Sequence, residues 1–345
     1  MIVQEILLQP NDARLTCYLQ DKSPEMTTAD VRPAMLVFPG GGYFMCSDRE
    51  AEPIAIAYLA EGYNAFVLRY CTGPDVPWEK SYEDGVAAIS YIRAHAEEFN
   101  IDPQKLAVVG FSAGGHMAAS MGTISEDKPN AMILGYPVIL EEMGPPVGKT
   151  IAGCDKAVTE KTPPAFIFAT SDDNIVPVEN SLRFAGALSS HDVYFEMHIY
   201  LMGEHGFSLG KASQANGNPG TVNPDAQDWF ADSVRFLRHV FGDFPVQGQN
   251  TAPDLPNHSI ASLDTPLRYL MKRPECLVAI EAALPGVGAM LQGNVMAYGL
   301  SFRQIAAYSP DIITQEILEK IGKALDACNP CLSDEQKTCG KGECP

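Results

Sequence analysis

Residues 108–120 read VVGFSAGGHMAAS and set Ser112 among glycines, directly after a run of apolar residues. The segment Gly110–Gly114 fits the pattern G-x-S-x-G, which forces a sharp turn from a strand into a helix and exposes the serine oxygen. Leu106–Val109 has the pattern of a strand, and the small residues after Ser112 suit a helix. This context favours a nucleophilic serine at a helix N-terminus, where developing negative charge is stabilised. The alternative is a solvated serine in an ordinary glycine loop.

Short apolar runs alternate with helical patterns from about residue 30 to residue 241. The predicted strands are Ala34–Phe38, Ala65–Tyr70, Leu106–Phe111, Ala131–Tyr136, Ala165–Thr170 and Val193–Tyr200. Most are bounded by Gly, Pro, Asn or Asp, which is typical of buried strands in a parallel sheet. One of the helices between and after them is predicted to open at Asn223-Pro224 and to end at Gly242. The alternation predicts an α/β sandwich, a mostly parallel sheet with helices on both faces.

A nucleophilic serine needs a base and a third group that orients the base. In a parallel sheet these partners lie on loops after later strands, at the carboxyl edge. His205, in the stretch LMGEHGFSLG directly after a strand, is the histidine that this rule selects. The others fall within helices, within a strand, in the predicted linker or at the opposite edge, and His116 is predicted to pack just beyond the serine turn.

The candidate acid lies in the stretch FIFATSDDNIVPVENS, where Asp172 and Asp173 follow a strand that ends near Thr170. From position alone, either aspartate could orient an imidazole, and the other would be a capping or solvated residue. The chain order of serine, aspartate and histidine is the order of one known hydrolase fold.

Three consecutive glycines, Gly40–Gly42, follow an early strand in the stretch LVFPGGGYFMCSDREAEP. Glycines there let backbone N–H groups approach a reacting oxygen closely, as in an oxyanion loop. A phosphate-binding loop is the alternative, but no Gly-Lys-Ser/Thr follows. Ser47–Glu50 is predicted to form a capping box that starts the next helix.

With these elements the sequence resembles the α/β-hydrolase superfamily, and within it the bacterial acetyl-xylan-esterase-like and feruloyl-esterase-like carboxylesterases. The resemblance rests on FPGGGY, REAEPIAIAYLAEGYNAFVLRY, IDPQKLAVVGFSAGGHMAA, SDDNIVPVENS and GEHGFSLG, which together span roughly residues 30–241. It implies an α/β-hydrolase fold and a set of site residues. These are Ser112 as nucleophile, Asp173 as acid, His205 as base, and Gly41, Gly42 and Ala113 as oxyanion N–H donors.

The expected activity is that of a serine esterase acting on short acyl, above all acetyl, esters of a carbohydrate or another bulky alcohol, with no metal or cofactor. Tyr43 and Phe44 beside the glycine loop predict a cramped acyl wall. The segment Pro137–Pro163, where proteins of the resembled family often carry a longer insertion over the site, is short here and predicts an open cleft on the other side. The alternatives are a peptidase related to prolyl oligopeptidases and a non-catalytic binding protein that retains the fold. A long-chain lipase is disfavoured because the sequence has no apolar lid.

The predicted domains are a catalytic domain over 1–244, a linker over 245–262, a small helical module over 263–327 and a cysteine-containing tail over 328–345. Cys328, Cys331, Cys339 and Cys344 could hold zinc, but the short, uneven spacing favours a loose tail without metal. The formal net charge of −19 argues against nucleic-acid partners. Free scattered thiols, no recognisable leader and no apolar stretch of bilayer length predict a cytoplasmic protein off the membrane. The sequence assigns no oligomeric state.

Overall fold

The computed structural model describes residues 1–258, 260–287 and 295–329, and the chain forms two compact units. The first unit is Met1–Asp254 and the second begins at Leu255, inside the predicted linker. The N–H of Asp243 donates to the carbonyl of Thr251 over 2.8 Å, and Nδ1 of His239 lies 2.7 Å from Oδ1 of Asp254. These contacts attach the first part of the predicted linker to the first unit.

The first unit is built on one eight-stranded sheet of order β1-β2-β4-β3-β5-β6-β7-β8. The strands are β1 Ile2–Leu8, β2 Ala13–Leu19, β3 Arg32–Phe38, β4 Asn64–Arg69, β5 Ile101–Phe111, β6 Ala131–Gly135, β7 Ala165–Thr170 and β8 Phe195–Tyr200. Strand β2 is antiparallel to both β1 and β4, and every other neighbouring pair is parallel. The predicted mostly parallel sheet is confirmed.

Helices cover both faces of this sheet: α1 Glu52–Ala60, α2 Trp78–Ala94, α3 Ala113–Thr123, α4 Glu179–Ser190 and α5 Trp229–Phe241. Helices α1 and α5 pack on one face, where Tyr58 and Trp229 are fully buried. Helices α2, α3 and α4 pack on the other face through Ile89, Met117 and Phe184. The α/β sandwich therefore has two apolar layers, one on each side of the sheet.

The structure corrects the sequence prediction at two places. Strands β1 and β2 lie ahead of the predicted alternation and were not predicted. In edge strand β1, apolar side chains such as Ile2 and Leu7 are exposed and form no buried run. The predicted helix start at Asn223-Pro224 is wrong, since α5 begins at Trp229. The Asn223 side chain instead accepts the N–H of Ala226 over 3.1 Å, at the start of a separate 3₁₀ turn, Ala226–Asp228.

The second unit contains the helices Leu267–Leu270, Pro274–Ala283, Phe302–Tyr308 and Gln315–Asp326 around its own apolar core. Ser301 and Gln304 form a reciprocal capping box at the start of the third of these. Cys328 donates to the carbonyl of Ala324 over 3.3 Å. The other three tail cysteines lie outside the described residues. Within the described ranges, the helices are too short or too polar to cross a bilayer.

Six strands of the first unit, β3 to β8, run parallel to one another. Their carboxyl ends consequently meet at one edge of the sheet, and the loops that leave these ends carry every site residue predicted from the sequence.

Candidate active site

Ser112 follows β5 directly and precedes α3, with φ of 54° and ψ of −120°. Residues with a side chain rarely adopt this conformation, and such strain concentrates at functional sites. The Ser112 N–H donates to the carbonyl of Gly135 over 3.0 Å, and the Ser112 carbonyl accepts from Val138 over 3.0 Å. A Cβ atom at Gly110 would overlap the carbonyl of Gly114, so this turn requires glycine there.

A run of hydrogen bonds joins Ser112 to His205 and Asp173. Nε2 of His205 lies 2.8 Å from the Ser112 hydroxyl, and Nδ1 of His205 lies 2.7 Å from Oδ2 of Asp173. The second oxygen of Asp173 accepts the N–H groups of Ile175 and Val176 over 2.9 and 2.8 Å. With the carboxylate fixed and Nδ1 donating to it, Nε2 is the ring atom that accepts from the serine.

The two adjacent aspartates have different partners. Asp173 contacts His205, and its side chain is wholly buried. Asp172 is exposed and accepts the N–H of Gly203 over 2.8 Å. Asp172 therefore anchors the start of the loop that carries His205, and the structure separates two residues that the strand positions alone left equivalent.

The glycine loop, Gly40–Gly42, lies against Ser112. A Cβ atom built on Gly40 would be 3.1 Å from the Cβ of Ser112. The next residues turn back sharply, since the N–H groups of Phe44 and Met45 both donate to the carbonyl of Gly41 over 3.0 and 3.3 Å. Gly41 has φ of 127°, which a residue with a side chain rarely adopts.

The predicted capping box at Ser47–Glu50 is wrong. Ser47 makes no side-chain cap, and the Glu50 side chain turns inward, where the residue is 3 % exposed. Oε2 of Glu50 accepts the N–H of Gly40 over 2.9 Å, and Oε1 accepts the Tyr136 hydroxyl over 2.6 Å. Sequence reasoning missed both roles because an acid before an apolar helix is the ordinary signature of a helix start.

Tyr136, directly after β6, is a second residue that the sequence did not single out. Its φ is 33°, and its ring centroid lies 4.9 Å from that of His205 in an edge-on arrangement. Its oxygen accepts the N–H of Ser208 over 3.0 Å. The only sequence signal for this residue was its position at the carboxyl end of a strand.

The sharp turn at Ser112 between β5 and α3 is called the elbow below, and on its other side His116 is fully buried, as predicted. Its Nδ1 lies 2.6 Å from the Tyr43 hydroxyl and its Nε2 lies 2.8 Å from the carbonyl of Ala152. Burial lowers the pKa of His116 to about 4. The ring is therefore neutral at physiological pH, donates through Nε2 and accepts through Nδ1.

The residues expected to form an acyl wall differ in exposure. Tyr43 is 3 % exposed and directs its hydroxyl to His116, whereas Phe44 is 47 % exposed. The ammonium of Lys149 lies 5.7 Å from the Phe44 ring centroid and donates to the carbonyls of the loop Gly73–Val76. Phe44, rather than Tyr43, is the aromatic ring that the glycine loop presents to solvent.

Two family models match consecutive parts of the chain. Residues 21–144 match the BD-FAE family, and residues 150–241 match the prolyl oligopeptidase family. The first match begins ahead of β3 and the second ends with α5.

The relatives of the chain include solved and curated proteins. The structure of MGS-M1, an α/β-hydrolase enzyme from a Medee basin deep-sea metagenome library, is 42% identical, with 70% of this chain and 98% of that one covered and a TM-score of 0.66. The endo-1,4-beta-xylanase B of Butyrivibrio fibrisolvens is 36% identical over 52% of this chain and 33% of the relative. The acetylxylan esterase of Xylanibacter ruminicola is 31% identical over 57% of this chain and 44% of the relative.

The chain therefore belongs to the α/β-hydrolase family, as its sequence predicted. It spans less than half the length of the two curated relatives named above. Within the family it is similar to acetylxylan-esterase-like and feruloyl-esterase-like proteins.

Proposed function

We propose that the protein is a serine esterase that removes short acyl groups, chiefly acetate, from a carbohydrate or another bulky alcohol. The observation that carries this proposal is the pair of hydrogen bonds at His205, 2.8 Å to the Ser112 hydroxyl and 2.7 Å to Asp173. This is the arrangement that activates a serine for attack on an ester carbonyl.

In the proposed reaction, His205 takes the hydroxyl proton as the Ser112 oxygen bonds to the carbonyl carbon, and Asp173 holds the imidazolium that results. The tetrahedral intermediate collapses, its bond to the alcohol oxygen breaks, and His205 returns the proton to that oxygen. Water then attacks the acyl-serine with the same base, which releases the acid and restores Ser112. Each step uses side chains, backbone and water alone.

The developing oxyanion would be received by the N–H groups of Gly41, Gly42 and Ala113. The packing of Gly40 on Ser112 and the start of α3 at Ala113 support this assignment. The Gly40 N–H is bonded to Glu50, which is consistent with the donors being the two glycines that follow it. Loss of one such donor typically costs about 3 kcal/mol of transition-state stabilisation.

The substrate class is proposed from the relatives. The similarity to an acetylxylan esterase and to a xylanase favours an acetylated carbohydrate, with the sugar on the alcohol side. We expect the protein to release acetate from acetylated xylo-oligosaccharides and to hydrolyse p-nitrophenyl acetate.

The test is a comparison of wild-type protein with Ser112→Ala and with a matched control, Ser120→Ala, in the helix α3 that follows Ser112. Ser120 is buried and lies 3.4 Å from the sulfur of Cys154. Ser112→Ala should abolish acetate release while the protein stays folded, and Ser120→Ala should retain it. Full activity in Ser112→Ala would refute the proposal.

A peptidase is the second candidate, favoured by the match of residues 150–241 to the prolyl oligopeptidase family. Peptide p-nitroanilides assayed beside p-nitrophenyl acetate separate the two activities. A higher kcat/KM on the anilides than on the ester would establish the peptidase and displace the esterase.

A further inference from the structure

Glu50 is a buried carboxylate at the active-site edge that no step of the proposed reaction uses. It precedes α1, and its two oxygens bond to groups on two different loops, the glycine loop at Gly40 and the end of β6 at Tyr136. Burying a charge is costly unless it is paired or fully hydrogen-bonded, so the contacts of this carboxylate call for an explanation. Its two partners connect it to the site, because Gly40 packs on Ser112 and the Tyr136 ring centroid lies 4.9 Å from that of His205.

We infer that Glu50 is a positioning residue: it ties the glycine loop to the loop that carries His205, and its negative charge stabilises the imidazolium formed as Ser112 attacks. This inference rests on the proposed esterase function, because it assigns a role in the same proton transfer.

The first half of the tie fixes the glycine loop. Oε2 of Glu50 accepts the Gly40 N–H over 2.9 Å, and the same loop is held further along by the Ser47 N–H, which donates to the Gly40 carbonyl over 2.9 Å. Gly40 is therefore held through both its amide and its carbonyl. Because Gly40 is fixed, the amides of Gly41 and Gly42 that follow it in the chain are held in place, as a preorganised oxyanion site requires.

The second half of the tie reaches the histidine loop through Tyr136. The Tyr136 hydroxyl donates to Glu50 and accepts the N–H of Ser208, three residues after His205. Ser208 has φ of 51°, and its hydroxyl donates to the carbonyl of Arg49 over 2.6 Å. Strained residues held from several sides in this way persist only where the surroundings over-determine them.

The charged and titratable groups that interact electrostatically with the Glu50 carboxylate include Tyr136, Tyr70, His205 and Arg49. Burial raises the pKa of Glu50 above its ordinary value, whereas the hydrogen bonds from Tyr136 and Gly40 and the charges of His205 and Arg49 lower it. Burial and the Glu50 charge raise the pKa of Tyr136 well above its ordinary value, so this phenol keeps its proton and donates. Both oxygens of Glu50 thus accept, which is the pattern of the ionised form.

A merely structural role and the inferred role predict different pH behaviour. A structural Glu50 would satisfy the Gly40 N–H, and its replacement would lower activity at every pH alike. A charge that faces the His205 imidazolium makes the histidine easier to protonate, so removing it should move the acid limb of the activity profile to lower pH.

The experiment measures kcat and KM for p-nitrophenyl acetate from pH 4.5 to 9 in wild-type protein, Glu50→Gln, Glu50→Asp and Tyr136→Phe. The matched control is Glu52→Gln, because Glu52 pairs with Arg69 over 2.8 Å and contacts no site residue through that pair. Glu52→Gln should keep the wild-type rates and profile.

In Glu50→Gln the side chain can accept from only one of its two donors and carries no charge. We expect kcat to fall about 10- to 100-fold with KM changed less than about threefold, and the acid limb to move to lower pH. Glu50→Asp should lower kcat yet keep the acid limb in place, because it retains the charge. Tyr136→Phe should lower kcat by cutting the link to Ser208.

An unchanged kcat in both Glu50→Gln and Tyr136→Phe would overturn the inference, as would a fall in kcat with an unmoved acid limb in Glu50→Gln. If Glu50→Gln fails to fold, Glu50→Asp and Tyr136→Phe decide the positioning role through kcat. A wild-type protein that hydrolyses no ester would instead refute the proposed function, which is a separate and recognisable result.

Discussion

The side chains on the two sides of Ser112 differ in chemistry and in burial. On the histidine side, Asp173 and His205 form a hydrogen-bonded pair, and the His205 side chain is 14 % exposed. On the opposite side, Tyr43, His116 and Trp78 pack as a neutral, buried cluster, with the Trp78 and His116 ring centroids 5.5 Å apart. The histidine side carries the groups that move the proton in the proposed reaction. The other holds the backbone of the elbow and the glycine loop in a fixed, dry setting.

This difference predicts that substitutions on the two sides have different effects. A substitution at Asp173 or His205 should alter the reaction and leave the fold intact, because both residues lie on loops at the sheet edge. A substitution in the neutral cluster should alter stability and its pH dependence, because that cluster is part of the core.

The largest expected effect comes from the two aspartates on the histidine side. Asp173→Asn should lower kcat by about 10³- to 10⁴-fold, since an amide would favour the wrong tautomer of the imidazole. Asp172→Asn, its matched control, should change kcat by less than about tenfold, because the Asp172 carboxylate binds the Gly203 N–H whereas that of Asp173 binds His205. Steady-state kinetics on p-nitrophenyl acetate measures both. The reverse ranking would move the acid to Asp172.

A second, smaller effect probes the acyl wall between the two sides. Activity on aryl esters should fall steeply from acetate to butyrate and be negligible for octanoate, since each methylene that a tight site must reject is worth about 1–3 kcal/mol. Bulky alcohols should be tolerated. The measurement is kcat/KM along the p-nitrophenyl ester series. Equal or rising values with chain length would contradict a short-acyl site and reopen a lipase-like function.

The smallest effect on activity, and a clear effect on stability, is expected in the neutral cluster. The pKa of His116 is lowered from an ordinary value of 6.5 to about 4 by burial. Between these two pH values His116 is protonated in the unfolded chain but neutral in the folded protein. The contribution of His116 to the free energy of unfolding is therefore complete above pH 6.5 and is lost as the pH falls through about 4. Its full size is on the order of 3 kcal/mol.

Urea unfolding between pH 7 and pH 4 checks this prediction. His116→Gln should remove most of that pH dependence, while the exposed His191→Gln should keep the wild-type slope. Identical slopes in wild-type protein and His116→Gln would show that His116 titrates normally and that the neutral cluster does not hold it uncharged.

The sequence predicted the elbow well because its signal is local. Strand, glycine and serine stand within a few residues of one another, and the overlap that a side chain at Gly110 would cause explains why that glycine is needed. His205 was selected by one topological rule, its place directly after a strand, and the structure sets it 2.8 Å from Ser112.

Glu50 and Tyr136 escaped prediction because their link joins residues 86 positions apart. Local patterns assigned Glu50 to a helix start. Only the folded sheet brings Tyr136, directly after β6, into contact with it. The edge strand β1 was missed for a related reason, since half-exposed strands do not form the apolar runs by which buried strands are recognised.

The central claim is that Ser112 is an activated nucleophile, and covalent labelling tests it most directly. Wild-type protein is incubated with a fluorophosphonate, digested and analysed by mass spectrometry, beside Ser112→Ala and Asp173→Asn. The account predicts one adduct, on the peptide that contains Ser112, absent in Ser112→Ala and formed far more slowly in Asp173→Asn. No adduct on wild-type protein, or an adduct on another residue that persists in Ser112→Ala, would contradict it.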